Sequence, residues 1–443
     1  MNEAIVEEYD AIVVGSGPGG STVARQLSKA GKKVVVLEQG KDHQKMGSYF
    51  TALGILDKYG TLRSREGMFM LRAITTGGAT VLYSASAAVP PPWLKSRYNI
   101  NLDPWVDEIE KETRAGVLPE NLIGKTSLKV METANKIGYQ WEFMPKFLDP
   151  TRFQDGRCCG TYTHLGCKCG AKWTAREYLK EAVDNGAMLF TETTCEEVIV
   201  ENGVAAGVVA IGSDNKRLTF RAPLVVLAAG GLGSPLILKK AGIDRAGDGC
   251  YVDPTVLVYG LAPFEGAWQD PPVSVVSWEF YESDGIRLGT MVEPRMLLAI
   301  SMARKSPSHL TLPINYNKTV GILVKVRDDL AGGIHADATI SKPLGEEDHG
   351  RLNKGIGVAT EILRALGCSA KSIAVGDVKG AHPSGTCRIG DVVNDDLETE
   401  INGLYVCDAS VFPEALDRPT VITIIGFAKK LCDLILDREV GTA

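Results

Sequence analysis

The sequence predicts an α/β chain in which a parallel-sheet domain, assembled from separated segments, carries an α+β domain built on an antiparallel sheet. Three observations predict it. The N-terminus reads as strand, glycine-rich turn, helix and strand in quick succession. Strand-length apolar runs return near residue 224 and again near residue 403. Between them, residues 249–339 hold short alternating runs punctuated by proline and glycine, the pattern of an antiparallel sheet.

Residues 9–14 are an apolar strand, 15–20 a glycine-rich turn, 21–30 a helix and 32–37 a second strand. That is a βαβ unit of the expected length, and hence Rossmann-like. Gly77 and Gly78 open another loop, and three prolines at 90–92 break regularity before a charged, helical stretch to about residue 138. A cysteine- and glycine-rich segment fills 158–172, followed by a helix at 173–185 and strands at 197–201, 206–211 and 224–230. An amphipathic helix spans 346–366, and the chain closes with a strand at 403–407 and a helix at 421–436. The organisation expected is a nucleotide-binding domain in three parts, at 1–90, 186–248 and 376–443. A helical and Cys-rich connecting region takes 91–185, and a substrate-binding domain takes 249–375.

Composition narrows the function. With 44% hydrophobic and 23% charged residues the 443-residue chain is ordinary globular protein, long enough for two or three domains. Its 48 basic and 54 acidic side chains leave a net charge of −6, which gives no electrostatic reason to expect nucleic acid, whose partners usually present a basic face. Apolar runs end in glycine well short of the roughly twenty residues of a membrane span. Residues 1–9 are acidic and polar, without the charged and apolar regions of a secretory signal. Ten cysteines in such a chain suit a reducing compartment, so the cytoplasm is the expected address.

The first chemical motif is Gly15, Ser16, Gly17, Pro18, Gly19 and Gly20, a GxGxxG between strand and helix. Gly15 permits the turn, Gly17 lets a pyrophosphate approach the backbone, and the helix N-terminus offers free N–H groups and positive dipole. Glu38 ends the second strand, eighteen residues past Gly20, where a carboxylate accepts from ribose hydroxyls and repels a 2′-phosphate. FAD and NAD both satisfy this motif.

Further segments distinguish them. Residues 9–20 (YDAIVVGSGPGG), 77–80 (GGAT), 227–235 (LAAGGLGSP), 382–390 (HPSGTCRIG) and 403–413 (GLYVCDASVFP) follow in that order. In these motifs the chain resembles the glucose-methanol-choline oxidoreductases. The resemblance implies an FAD-binding domain in which Gly77, Gly78 and Thr80 cover the flavin pyrophosphate and Val198 meets the adenine with its backbone. It places Asp408 at the flavin's ribityl and phosphate region, and Ala229, Ala409 and Thr420 among the cofactor-binding residues. His382 takes the position of the family's catalytic base beside the flavin N5, a role suited to the one side chain that titrates near neutrality. Outside that frame, His43, His309, His335 and His349 read as surface or structural.

The chain also departs from the pattern. A second His or Asn is expected after the Asp-Ala-Ser segment, but the stretch reads Asp417-Arg418-Pro419-Thr420. Arg418 is therefore a candidate catalytic cation, favouring an anionic flavin or binding a substrate carbonyl or carboxylate. Cys158, Cys159, Cys167 and Cys169 crowd into twelve residues with spacing CC-x7-C-x-C, and are candidates for zinc or an iron–sulfur cluster. Some members of the family carry a related GC-x-x-GAK segment without a metal, matched here by residues 166–172.

The expected function is FAD-dependent oxidation of a CH–OH group of a small organic substrate, by hydride transfer to flavin N5 with His382 as base and a separate electron acceptor. Open beside it stand a flavin-dependent reductase, desaturase or isomerase at a carbon–carbon bond, a non-redox lyase keeping FAD as structure, and an electron-transfer subunit.

Overall fold

Ala11–Val14 and Val34–Leu37 are apolar and buried at every position, as befits central strands of a sheet covered on both faces. In the computed structural model, which describes residues 4–442 apart from 155, 157 and 417, they form the middle of a five-stranded parallel sheet. Its order is Leu404–Val406, Leu224–Leu227, Ala11–Val14, Val34–Leu37, Met188–Phe190. Three distant chain segments thus build one sheet. Helix Pro18–Lys29 connects the two central strands and packs against the last helix, Val421–Thr442, and against Arg176–Asp184. A small sheet lies beside it, with Ala4–Glu8 parallel to Arg217–Arg221 and the hairpin Thr194–Glu201/Val204–Ile211 completing it.

The second body is a largely antiparallel sheet. Its centre is Pro254–Leu261 paired with Thr319–Val326, then Ile286–Thr290 and Val275–Ser277. Alternation sorts its side chains. Val256 and Val324 belong to one apolar core, and Gly355 of helix Glu346–Ala365 sits against Val324. Thr255, Leu257, Leu323 and Lys325 face the opposite way, into a cleft between the two bodies.

The discontinuous parallel domain and the antiparallel sheet agree with the sequence reading. Its detail differs in short strands. Phe69–Met70 and Glu142–Phe143, from the first segment and the connecting region, are edge strands of the antiparallel sheet, and Lys379–Gly380 pairs with Pro254–Leu261. Two-residue strands carry no readable period. Ala4–Glu8 is a strand for which the sequence reading named no element. No helix among the described residues is long and apolar enough to cross a membrane.

Candidate active site

The parallel strands end at Val14, Leu37 and Leu227, and the residues at or just past those ends open onto the cleft, where open α/β sheets place their ligands. Its volume of about 1190 Å³ exceeds that of a site for one drug-sized ligand, and accommodates a dinucleotide together with a substrate.

At the nucleotide end the glycine motif forms the wall. Gly15 holds a φ of +102°, and a Cβ there would meet the Ala228 carbonyl oxygen at 2.3 Å, so only glycine fits. A Cβ on Gly17 would meet nothing within 4 Å; it would project into the open space before the helix. Helix Pro18–Lys29 has no side-chain cap, so its first-turn N–H groups are available to an anion. Ser16, Pro18 and Gly19 line the cleft, and Gly20 is buried in the first helical turn.

Glu38 is buried, and Oε2 accepts from Ser16 N (3.0 Å) and Ser16 Oγ (2.6 Å) while Oε1 accepts from Gly40 N (2.7 Å). Burial pushes its carboxyl up, and these three hydrogen bonds oppose the shift. Ser16 Oγ also accepts from Gly77 N at 3.1 Å, which ties the second glycine loop to the first. Thr80 donates to the Gly77 carbonyl at 2.5 Å and accepts from Ala175 N at 3.0 Å. The uncapped helix, the open face of Gly17 and the acid at the strand end fit the FAD that the motifs imply.

At the other end the sheet places cations in a row. Lys325 is registered against Thr255 on one side and Arg287 on the other, and all three line the cleft. Both cations thus stand side by side on the cleft floor, with Lys325 Nζ 3.4 Å from the Asp253 carbonyl. His382 lines the same region. Its Nδ1 lies 2.7 Å from Asp253 Oδ2 and 3.5 Å from Lys325 Nζ. Asp253 is buried with a φ of +48°, a conformation aspartate tolerates better than most residues. Its N–H and that of Val252 donate to Asp328, itself 2.8 Å from Lys342.

A carboxylate can only accept, so Nδ1 carries the imidazole proton and Nε2 keeps the lone pair. Burial lowers the His382 pKa to about 4, with Lys325 and Arg287 adding to the shift and Asp253 opposing it. The imidazole is therefore neutral at physiological pH and able to accept a proton.

A second polar group faces the cleft. Glu293 pairs with Lys379 and accepts from Tyr259 Oη at 2.8 Å. His164 also lines the wall, with Nδ1 3.2 Å from the Leu82 carbonyl and a pKa lowered to about 4, chiefly by burial.

The remaining expected residues divide. Ala229, Asp408, Ala409 and Thr420 line the cleft with Thr80. Asp408 works within the chain: Oδ2 accepts from Gly230 N (2.8 Å) and Ser234 Oγ (2.5 Å), and Oδ1 from Ser410 N (2.7 Å). It shapes two cleft loops at once. Val198 lies buried in its strand, and Thr193–Glu196 just before it line the cleft. Arg418 is not among the lining residues. Its Nε donates to Tyr281 Oη at 3.0 Å, an NH1 proton goes to the Val89 carbonyl, and the guanidinium lies over Tyr281 and Trp278. Asp417 lies outside the described residues.

Asp253, Arg287, Glu293, Lys325 and Lys379 were not found by sequence reasoning. One signal was present: Lys325 interrupts an otherwise apolar strand, TVGILVKV.

The chain is 29% identical over 430 residues to an uncharacterized protein of Methanocaldococcus jannaschii, covering 97% of this chain and all of that one. A long-chain-alcohol oxidase of Arabidopsis thaliana is 26% identical over 519 residues, covering 97% of this chain and 67% of the oxidase. The formate oxidase of Aspergillus oryzae shares the fold with a TM-score of 0.74 at 13% identity, over the whole of both chains. Family models for GMC oxidoreductases match residues 9–256 and 350–428. By these matches, which take in both the glycine motif and the His382 segment, the chain belongs to the GMC oxidoreductases, FAD-dependent enzymes.

Proposed function

We propose that the chain oxidises a CH–OH group of a small organic substrate, with His382 as the base that takes the hydroxyl proton. The observation that carries this reading is the His382–Asp253 pair at the cleft. Bound FAD would supply the two-electron acceptor for the hydride that leaves the substrate carbon. The protein's own contribution is to hold Nε2 unprotonated, to keep the alkoxide-like oxygen near Lys325 and Arg287, and to exclude water. Glu38 and the first turn of helix Pro18–Lys29 would hold the cofactor's ribose and phosphates.

The outer cleft bears on the substrate. Leu53, Leu56, Phe69, Leu297 and Ile300 line it, which suits an alcohol with an apolar body, and the plant relative is named for long-chain alcohols. A second reading, reduction or isomerisation of a carbon–carbon bond next to a carbonyl, draws support from the same two cations, which can polarise that carbonyl.

The test is anaerobic bleaching of the purified flavoprotein with a panel of alcohols, aldehydes and enones. Bleaching by alcohols, faster for those with apolar chains, is expected. Oxidation of pre-reduced flavin by enones, with no bleaching by any alcohol, would establish the second reading instead. No response in either direction would leave a flavin without redox work and sink both.

A further inference from the structure

Away from the nucleotide and His382 ends of the cleft, four sulfurs converge. Cys158 Sγ lies 3.3 Å from Cys169 Sγ and 3.9 Å from Cys167 Sγ. Cys169 Sγ is also 3.4 Å from Cys159 Sγ and 3.5 Å from Cys167 Sγ. The short turn Thr161–Leu165 folds the two cysteine pairs onto each other, which explains how a segment without CxxC pairs assembles a compact thiol group.

Its size is informative. A tetrahedral ion with metal–sulfur bonds of about 2.3 Å holds its sulfurs about 3.8 Å apart; the four pairs above lie at 3.3 to 3.9 Å, Cys158, Cys159 and Cys169 lie within 4.8 Å of one another, and Cys167 adjoins the group through Cys158 and Cys169. A cubic iron–sulfur cluster seats each thiolate on a different iron and needs a wider frame. The surroundings suit thiolates. The N–H groups of Lys168 and Cys169 donate to Cys158 Sγ at 3.2 and 3.4 Å, Gln154 N to Cys159 Sγ at 3.4 Å, and Lys172 N to Cys167 Sγ at 3.5 Å. Such bonds satisfy the sulfur lone pairs a metal leaves unused. Cys158 and Cys159 are buried, so the group closes to solvent on one side.

We propose that Cys158, Cys159, Cys167 and Cys169 together bind one thiophilic divalent ion, zinc or a single iron, in a closed tetrahedral site. Binding displaces the thiol protons to solvent and changes no oxidation state. The site stands at the cleft wall. Lys172, within the same segment, donates Nζ protons to the carbonyls of Val81, Tyr83 and Thr163, and His164 and Leu165 of the turn line the cleft. A metal here locks the turn that forms one side of the active site.

The experiment is quantification of metals and acid-labile sulfide in the FAD-loaded enzyme purified without oxygen. About one zinc or one iron per chain, with no sulfide, is expected. Zinc leaves the flavin spectrum unaltered and iron adds thiolate-to-metal absorption, so the two ions are told apart. Less than about a tenth of an ion per chain, several irons with sulfide, or a disulfide among the four cysteines overturns the proposal. Cys169→Ser should lower metal content about tenfold or more with FAD retained, while Cys368→Ser, remote from the group, leaves it unchanged. Should Cys169→Ser fail to fold, cobalt(II) exchanged into the wild-type enzyme must show the absorption of a tetrahedral tetrathiolate; its absence overturns the proposal as well.

Discussion

Asp253 Oδ2 and His382 Nδ1 are brought within 2.7 Å of each other by strand register. Asp253 directly precedes Pro254–Leu261 and His382 follows Lys379–Gly380, and these strands pair antiparallel with Pro254 opposite Gly380. The His382 N–H donates to the Val252 carbonyl at 2.9 Å, extending the ladder to the base itself. The antiparallel sheet thereby aims the imidazole.

With FAD held by the glycine loops and Glu38 as proposed, His382→Ala should keep the cofactor and slow flavin reduction by substrate about 10²–10⁴-fold. In the wild type the rate should be flat near neutrality and fall as pH drops through about 4, where the imidazole becomes charged. Stopped-flow reduction across pH checks both. Full-rate reduction by His382→Ala would remove this residue from the mechanism.

Asp253→Asn should slow reduction about tenfold or more, because the amide no longer imposes the tautomer with a free Nε2 lone pair. The pH profile separates this from general damage. Asp253 raises the His382 pKa, so its neutralisation should move the acid limb below the wild-type value. A slower variant with an unmoved limb would mean that Asp253 acts only through the fold.

The nucleotide end gives a simpler test. Gly17→Val introduces a side chain where no neighbour lies within 4 Å, so the fold should tolerate it while the pyrophosphate loses its approach to the backbone. Folded protein without visible flavin absorbance is the expected product. A full complement of FAD in this variant would contradict the assignment of the site.

A structural prediction follows from Glu112, which joins helix Asp103–Thr113 to the nucleotide domain. It lies 2.8 Å from Arg25 and 3.0 Å from the fully buried Lys429 and accepts from Tyr178 Oη at 2.6 Å. Burial alone would raise its pKa, but hydrogen bonds from Arg25, Tyr178 and Lys429 outweigh that and hold it at about 2. A depressed carboxyl stabilises the fold above its unfolded pKa and loses that contribution as pH falls through the folded one. Glu112→Gln should therefore cost about 3 kcal/mol at neutral pH, with the gap to wild type closing from pH 4.5 toward 2. Denaturant titrations at three pH values measure it.

What was legible in the sequence was contiguous. The GxGxxG motif and Glu38 lie within one βαβ unit, and His382 sits in a nine-residue frame. Asp253 was not legible, because 129 residues separate it from His382 and only sheet register joins them. Arg287 and Lys325 become neighbours by the same means. The antiparallel domain was readable as a class from its alternation, whereas its two-residue edge strands, drawn from other segments, had no periodic pattern to show.

Arg418 illustrates the converse, a residue whose chain position suggests the cleft while its side chain points elsewhere. It stands two residues before Thr420, which lines the cleft, yet its guanidinium is held by Tyr281, 137 residues away, and by the Val89 carbonyl. Its contacts are those of a strut between the last helix and the antiparallel domain. Arg418→Ala should leave the pH profile of flavin reduction in place and change its rate only a few-fold, while destabilising the protein by about 2–3 kcal/mol through lost charged hydrogen bonds. Arg418→Lys should recover only part of that stability, since an ammonium cannot reproduce the flat guanidinium stacked on Tyr281. A loss of reduction rate approaching that of His382→Ala, with stability intact, would instead give Arg418 a place in the chemistry, and would require a guanidinium that swings into the cleft when substrate is bound.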